Sequence, residues 1–269
     1  MVDRQRGEPG RGTVEEQGRL IARGRDADVY AAGDGRVLRR YRDGDSVARE
    51  AELMRYLAAA GYPVPAVYGA HACDMVLEHL HGPTMLQDLL RRPWRLRRHA
   101  RTLADLHRRL HAITAPDWLE PHPASGDAPT PGAFEGAGGG AGGGAAHRVL
   151  HMDLHPENVV LTARGPVVID WRTARGGPPG LDVAQTLVIL YSATAPGPPA
   201  RRAAFGLLRA ALLRAVRDAC ADQDPGPYLA ACARDRLANP NTTPGEADRL
   251  HALFVSAPAG GPPSPHDLL

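Results

Sequence analysis

The first third of the chain alternates apolar and polar residues in the manner of β-strands. After residues 1–17, which lack periodicity, short apolar runs recur near Leu20 and Val29, and a third run at 36–41 follows a Gly-Asp-Gly turn. Short alternating runs between turn-forming residues are typical of half-buried strands. The pattern therefore predicts a β-hairpin and a third strand, preceded by a disordered tail over residues 1–17.

Residues 46–60 follow a helical period instead. Their apolar face consists of Val47, Leu53, Met54 and Leu57. Glu50 falls on the same face, because residues three and four positions apart share one side of a helix. A carboxylate buried without a partner costs free energy, so we predict that Glu50 has a partner. The alternative, in which Glu50 reaches water at the edge of the face, stays open.

Strand alternation separates the two neighbouring arginines of the third strand. Arg39 shares a side with Val37, whereas Arg40 points to the other side and is expected to be solvated. Further along, residues 61–68 predict a turn that leads into a fourth strand, and residues 74–82 predict a fifth strand that ends at Gly82-Pro83.

Helical periodicity returns after residue 84. A short helix is predicted over residues 85–92. A longer helix carries apolar residues at helical spacing, namely Leu96, Ala100, Leu103, Leu106, Leu110 and Ile113. His107 and His111 lie one turn apart on this helix, a spacing that also suits a metal ion. Because no carboxylate cluster stands at the matching phase, we interpret both histidines as structural.

Residues 115–146 break the pattern, since Pro, Gly and Ala dominate them. Such a composition cannot bury enough apolar surface to offset its ordering entropy, so a mobile loop is expected. Whether this loop acts as a lid stays open. Helices are predicted beyond it near 183–190, 201–219, 227–237 and 244–255, followed by an unstructured tail at 258–269.

Three polar residues stand around a second predicted hairpin. Apolar, β-branched segments at 159–162 and 166–170 flank Ala-Arg-Gly, which predicts antiparallel strands joined by a three-residue loop with glycine in the left-handed conformation. In that register Asn158 faces Asp170, so a carboxamide and a carboxylate lie side by side, with Asp153 on the preceding loop. Oxygen ligands of this kind suit Mg²⁺, which usually keeps substrate phosphates in its shell.

The sequence of this stretch resembles the catalytic loop of kinases. His151-Met-Asp153-Leu-His155-Pro-Glu-Asn158 has the kinase spacing of Asp and Asn, and Asp170 stands where kinases have a second metal-binding Asp. The histidine at the fifth position and the Asp-Trp ending at 170–171 are similar to the aminoglycoside phosphotransferase and choline kinase family.

The resemblance implies roles for these residues. Asp153 would accept the proton of the substrate hydroxyl, and Asn158 and Asp170 would hold Mg²⁺ across the phosphates of ATP. His155 would assist near the γ-phosphate, in which case activity falls as the ring deprotonates with rising pH. Asp182 would tie this segment to the helical core, although a helix N-cap explains it equally well.

The resemblance also implies an α+β, bilobal protein-kinase-like fold. Residues 18–81 would form a small N-terminal lobe with an antiparallel β-sheet and one helix, and residues 82–257 a larger, mainly helical lobe. The expected nucleotide contacts are Gly24, Val29, Val37, Arg39, Glu50 and the backbone of Glu78, His79 and Leu80. Gly24 is what remains of the three glycines in the family's phosphate loop, since Ala22 and Ala27 occupy the other positions.

Composition changes one part of this picture. The chain has 269 residues, a net charge of +2 and no lysine, so all 32 basic residues are arginine. In the family a lysine of the third strand grips the nucleotide phosphates and pairs with a Glu on the next helix. Arg39 is therefore the candidate for that position, with Glu50 as its partner and a planar fork in place of a point charge. The balanced charge gives no sign of nucleic acid or membrane as a partner. Three cysteines without metal-ligand spacing and the lack of a signal sequence indicate a soluble, cytoplasmic protein.

These observations lead to an expected function and to alternatives. The expectation is ATP-dependent transfer of the γ-phosphoryl group to a hydroxyl of a small molecule, such as an antibiotic or a metabolite. The alternatives are a kinase acting on Ser or Thr of a peptide, a catalytically weak kinase-fold binding module, and a hydrolase that holds a metal with His151, Asp153 and His155. A polycationic aminoglycoside would favour an acidic pocket, whereas the C-terminal acids are scattered.

Overall fold

The computed structural model describes residues 18–24, 26–125, 147–256, 264–265 and 267–268. Its N-terminal part is an antiparallel sheet in the order β1-β2-β3-β5-β4. The strands are β1 (Leu20–Arg23), β2 (Ala27–Ala31), β3 (Arg36–Tyr41), β4 (Val67–His71) and β5 (Asp74–Glu78), and the helix α1 (Ala48–Ala59) follows β3. The hairpin, the third strand and the helix predicted from periodicity are confirmed.

The turn between β2 and β3 shows why glycine is needed there. Gly33, Asp34 and Gly35 all have positive φ angles, 71°, 45° and 70°. Residues with a Cβ rarely adopt this region, whereas glycine enters it without steric penalty. At the other end of the sheet, β5 stops at Glu78 rather than at the predicted Gly82, because its partner β3 begins at the residue that pairs with Glu78.

Arg40 is not simply solvated, as the alternation of β3 had suggested. It stands opposite Asp74 in the β3–β5 register. Its Nε and Nη2 donate to the two carboxylate oxygens of Asp74 at 2.7 Å and 2.6 Å. The alternation correctly placed Arg40 on the side opposite Arg39, but the partner comes from a strand that is distant in sequence. Cross-strand pairs of opposite charge of this kind stabilise a sheet locally.

The rest of the chain is mainly helical. Its helices are α2 (Met85–Arg91), α3 (Leu96–His111), α4 (Pro179–Ser192), α5 (Pro199–Ala219), α6 (Leu229–Ala238) and α7 (Pro244–Ser256). The described residues between α3 and α4 form four short strands, namely β6 (Arg148–Leu150), β7 (Val159–Thr162), β8 (Gly165–Val168) and β9 (Arg175–Gly177). β6 pairs with β9 and β7 with β8, both antiparallel. The predicted α+β class is confirmed.

Helix α4 is the core of this helical part. It contacts α3, α5, α6 and α7, and it is apolar around most of its circumference, which is typical of a helix enclosed on all sides. Leu181, Val183, Ala184, Leu187 and Val188 are completely buried. The polar side chains that α4 also buries must therefore have partners inside the protein.

By its internal contacts the chain divides into two compact units. One contains the described residues up to Glu52 together with Ala66–His79, and the other contains Leu53–Pro65 and the described residues from Leu80 onward. No helix in the described ranges is long and apolar enough to cross a membrane.

Parts of the chain for which disorder or a mobile loop was predicted lie outside the described residues. These are residues 1–17, 126–146 and most of the tail at 258–269. The first part of the predicted loop is described, and it is hydrogen-bonded to β9. His122 N–H donates to Gly176 O at 2.9 Å, and Gly176 N–H donates to Glu120 O at 2.8 Å. The composition of residues 115–125 did not indicate this pairing.

Candidate active site

The hairpin that carries the candidate metal ligands differs from its predicted register by one residue. Thr162 pairs with Gly165, not with residue 166, so the loop has two residues instead of three. Gly165 has a φ of 111°, which allows a tight two-residue connection. As a result Asn158 does not face Asp170. Its carbonyl accepts the N–H of Ile169 at 3.0 Å, and Asp170 follows one residue later.

Two residues of this segment have a left-handed backbone although they are not glycine. Met152, just before Asp153, has a φ of 63°, and Asp170 has a φ of 69°. Such a conformation costs on the order of 1–3 kcal/mol for each residue and persists only where surrounding contacts enforce it. At Asp170 it interrupts strand alternation, so the side chain direction expected from the strand pattern does not apply. Both residues adjoin or form part of the candidate site.

Contacts from three directions hold the backbone around Met152. The completely buried Asp182 accepts the N–H of Met152 at 2.7 Å through Oδ1. Thr173 Oγ1 donates to the carbonyl of His151 at 3.0 Å. The ring of His151 contacts the carbonyl of Ile169 through Nε2 at 3.1 Å. These contacts connect the loop that carries Asp153 to the loop that carries Asp170.

The carboxamide of Asn158 is oriented by Asp153. Its Nδ2 donates to the backbone carbonyl of Asp153 at 2.8 Å and to the Asp153 carboxylate oxygen Oδ2 at 3.0 Å. Oδ1 of Asn158 has no hydrogen-bond partner in the described part of the chain, and it is not sealed from solvent. An amide oxygen held in this way fits a hard cation such as Mg²⁺, and the Asp170 carboxylate is the matching type of ligand.

The carboxyl group of Asp153 is ionised at neutral pH. Burial raises its pKa, but His155, His151 and Arg236 lower it more strongly, so the net pKa lies below the ordinary value. The ring of His155 is the nearest of these groups, with Nε2 3.6 Å from Oδ2 of Asp153. Its Nδ1 accepts the N–H of Glu157 at 3.3 Å, and its Nε2 also lies 3.3 Å from Nδ2 of Asn158.

The hydrolase alternative, with a metal held by His151, Asp153 and His155, does not fit this geometry. The ring of His151 is completely buried, and its Nδ1 accepts the N–H of Asp153 at 3.2 Å. Both ring nitrogens of His151 are thus used by the backbone. Among the described residues, these three side chains do not come close enough to share an ion.

His107 and His111 do have a carboxylate partner, contrary to the sequence-based interpretation. Oδ2 of Asp182 lies 2.9 Å from Nε2 of His111 and 3.3 Å from Nδ1 of His107. Sequence periodicity could not show this, because Asp182 belongs to α4. The reason for reading the two histidines as structural therefore does not hold, because His107, His111 and Asp182 offer three ligand atoms within 4.8 Å of one another. The two rings also flank the carboxylate that holds Met152.

Asp182 is not a helix N-cap, because α4 begins at Pro179 and Pro178 occupies the cap position. Burial raises the pKa of Asp182, but the contacts with His107 and His111 hold it well below the usual range. Burial also lowers the pKa of His107. His107 Nε2 contacts Thr186 Oγ1 at 3.1 Å, and Thr186 in turn donates to the carbonyl of Leu154 at 2.7 Å. A second polar chain from α4 therefore reaches the loop of Asp153.

In the N-terminal unit the structure contains the predicted pair of Arg39 and Glu50. Nη1 of Arg39 donates to Oε1 of Glu50 at 3.2 Å, and the Glu50 side chain is 5% exposed. Tyr41 supports the pair, since its hydroxyl donates to Oε2 of Glu50 at 2.6 Å and its ring lies 4.7 Å from the Arg39 guanidinium. The fork of Arg39 is thus positioned from two sides.

The other predicted nucleotide contacts take the following positions. Gly24 lies between β1 and β2, where its N–H donates to Ala27 O at 2.8 Å. Val29 lies on β2, and Val37 is buried on β3. In the segment that was expected to meet the adenine edge, the N–H groups of Glu78 and His79 already bond to Ala66 and Gly35.

Comparison with solved structures shows a kinase-like fold. A choline/ethanolamine kinase family protein from Mesorhizobium loti is 20% identical, with a TM-score of 0.54 over 91% of this chain and 90% of that one. A thermostable mutant of the aminoglycoside phosphotransferase APH(4)-Ia, in ternary complex with AMP-PNP and hygromycin B, is 17% identical, with a TM-score of 0.59 over 90% and 94%. Ethanolamine kinase from Plasmodium vivax is 10% identical, with a TM-score of 0.53 over 87% and 81%.

The sequence places the chain within that class. A model of the phosphotransferase enzyme family, APH, matches residues 17–138 and 141–220, and the chain belongs to this family. No curated protein sequence matches it significantly. The protein is accordingly a phosphotransferase, and the resemblance drawn from its catalytic stretch is confirmed.

Proposed function

We propose that the protein transfers the γ-phosphoryl group of ATP to a hydroxyl of a small molecule, with Asp153 as the base. The observation that carries this proposal is the locked pair of Asp153 and Asn158, in which one hydrogen bond orients both the carboxylate and the carboxamide. The pKa of Asp153 is lowered, so the base is available at neutral pH. It accepts the proton as the acceptor oxygen bonds to the γ-phosphorus and the bond to the β-phosphate oxygen breaks.

The metal ligands in this proposal are Asn158 and Asp170. Mg²⁺, when bound, neutralises charge on the phosphates. The residues themselves contribute position: Asn158 directs Oδ1 away from Asp153, and the backbone of Asp170 is held in its left-handed conformation. Phosphoryl transfer through a loose transition state depends mainly on positioning and charge neutralisation, so rigid ligands are what the reaction requires.

In the N-terminal unit, we propose that Arg39 binds the phosphates of the nucleotide. Its partner Glu50 is buried and fixed by Tyr41, so the guanidinium is held in one orientation. A guanidinium presents two parallel donors to phosphate oxygens, which compensates for the absence of lysine in this chain.

Replacing Arg39 by Gln is expected to raise the KM for ATP by about 10- to 100-fold, the range for loss of a charged hydrogen bond. The KM for ATP of Arg39→Lys is expected to lie between those of Arg39→Gln and the parent protein, because lysine restores the charge but not the planar fork. Arg40→Gln is the matched control, since Arg40 pairs with Asp74 on the other side of the same strand. Steady-state kinetics with varied ATP separates the three variants; equal KM values for the parent and Arg39→Gln would contradict the role.

A kinase acting on a peptide hydroxyl would use the same catalytic residues, and a weak binding module would retain them without turnover. The intact Asp153, Asn158 and Asp170 favour an enzyme over a binding module. The small-molecule acceptor is supported by membership of the phosphotransferase family.

The proposed function is tested by ADP release over a panel of hydroxylated small molecules and Ser- or Thr-containing peptides, with and without Mg²⁺. We expect turnover with a small molecule, dependent on Mg²⁺, and a loss of at least about 100-fold in Asp170→Asn, because the carboxylate ligand is removed. Asp117→Asn, an exposed carboxylate in the same unit, serves as the control. Turnover with a peptide and with none of the small molecules would instead support a kinase that acts on a peptide hydroxyl.

A further inference from the structure

Two arginines from different helices converge on the C-terminal end of α4. Arg249 on α7 donates from Nε to the carbonyl oxygen of Tyr191 at 2.9 Å, and Arg209 on α5 donates from Nη1 to the same oxygen. Both guanidinium groups also lie near the Tyr191 ring, at 5.1 Å and 6.0 Å from its centroid. Two positive charges are thus brought together at one backbone carbonyl.

This pair of arginines lacks a carboxylate partner within the described residues. Arg108, Arg217 and Arg236 each form an ion pair with an Asp or Glu, whereas Arg209 and Arg249 do not. Each guanidinium has five N–H donors, and the Tyr191 carbonyl takes one from each. Their other nitrogens are not sealed from solvent. Several donors therefore remain for a ligand that enters from solution.

The two charges destabilise one another. Burial lowers the pKa of Arg209 to about 10, and the charge of Arg249 contributes to this shift. Arg209 still carries a positive charge at neutral pH. An oxyanion that binds both forks removes the repulsion and makes charge-assisted hydrogen bonds, which are stronger than neutral ones.

The pair lies on the same structural elements that support the catalytic loop. Thr186 on α4 holds the carbonyl of Leu154, and Tyr191 follows five residues later, about 7.5 Å along the helix. On α7, Arg249 stands three residues after Glu246, which pairs at 3.3 Å with Arg236 of α6. Arg236 in turn is close enough to Asp153 to act on its charge. Helices α4 and α7, which carry Tyr191 and Arg249, are thus tied by their other polar residues to the surroundings of the catalytic loop.

We propose that Arg209 and Arg249 bind an oxyanion, carboxylate, sulfate or phosphate, that is carried by the acceptor whose hydroxyl is presented to Asp153. This inference rests on the proposed function for the identity of the acceptor. It assigns the substrate to hydroxylated acids, because the two positive charges of Arg209 and Arg249, which have no carboxylate partner among the described residues, repel a polycationic acceptor.

The anion site is tested without catalysis, by calorimetric titration of the nucleotide-free protein with inorganic sulfate and with inorganic phosphate. We expect binding that weakens at least about tenfold in Arg249→Gln and in Arg209→Gln, the loss typical of a charged hydrogen bond. Arg214→Gln, an exposed arginine on α5, is the control and is expected to bind like the parent. Circular dichroism confirms that each variant is folded. Equal affinity in the parent and both variants would overturn the site.

A kinetic arm distinguishes the acceptor from the nucleotide as the source of the anion. With the acceptor found in the panel, Arg249→Gln is expected to raise the KM for the acceptor about tenfold or more and to leave the KM for ATP unchanged. A rise in the KM for ATP instead, or turnover of a polycationic acceptor that is unaffected by Arg249→Gln, would overturn the assignment. Anion binding without ADP release from any acceptor would retain the site but reject the proposed function.

Discussion

Asp153→Asn is expected to lower kcat by about 10²- to 10⁴-fold, the contribution of a positioned general base. The variant keeps the size of the side chain but loses the charge and the proton acceptor. The carboxylate also orients Asn158 through the 3.0 Å contact with its Nδ2, so the variant disturbs the neighbouring metal ligand as well. The KM for ATP is expected to change little in comparison, because a lost transition-state interaction lowers kcat.

Glu157→Gln provides the matched control for this prediction. Glu157 is a carboxylate in the same loop, but its side chain is exposed. Its replacement is expected to leave kcat within about twofold of the parent, as is usual for surface substitutions away from a site. ADP release should be measured for both variants at saturating ATP, with circular dichroism as the check on folding. Parent-like turnover by Asp153→Asn would remove Asp153 from the role of base.

Asp182→Asn is expected to lower the free energy of unfolding by about 3–5 kcal/mol, the usual result of removing one partner from a buried ionic network. The Asp182 side chain is completely buried and contacts Met152, His107 and His111. In the Asp182→Asn variant the side-chain amide directs its N–H groups either at the backbone N–H of Met152 or at the rings of His107 and His111. Chemical denaturation measures the effect, and Asp248→Asn, an exposed carboxylate on α7, is the control.

The difference in the free energy of unfolding between the parent and Asp182→Asn is also expected to depend on pH, in a direction that the pKa of Asp182 determines. The pKa of Asp182 is depressed well below 3.8 in the folded protein. A depressed carboxyl pKa contributes stability that is present above the unfolded value and is lost as pH falls towards the folded value. The gap between the parent and Asp182→Asn is therefore expected to be widest near neutral pH and to narrow below about pH 4. A gap that widens on acidification would contradict an ionised Asp182.

Periodicity was sufficient for features that depend on one helix and its nearest strand. Glu50 was placed on the apolar face of α1 by counting, and the resemblance to the kinase family supplied Arg39 as its partner; the structure contains this contact. The strands and helices were located by the same reasoning, because alternation and helical spacing follow directly from backbone geometry. The nucleotide role of the pair stays a prediction.

Features that depend on a turn conformation or on distant residues could not be predicted from the sequence. The hairpin of β7 and β8 could close with either two or three loop residues, and one residue of difference changed the partner of Asn158. Asp182 reaches His111 across 71 positions of the chain, and helical spacing carries no information at that separation. The convergence of Arg209 and Arg249 on Tyr191 was missed for the same reason.

The guanidinium on β3 also determines which chemical reagents can detect this protein. Acyl-phosphate derivatives of nucleotides mark kinases by acylating a lysine amine beside the phosphates. We propose Arg39 for that place here, and the chain has no lysine and so no side-chain amine at all. A survey of kinases by amine acylation would therefore pass over this protein even with nucleotide bound. A dicarbonyl reagent, which modifies guanidinium groups, is the appropriate probe, and protection of Arg39 by ATP is the signal to look for.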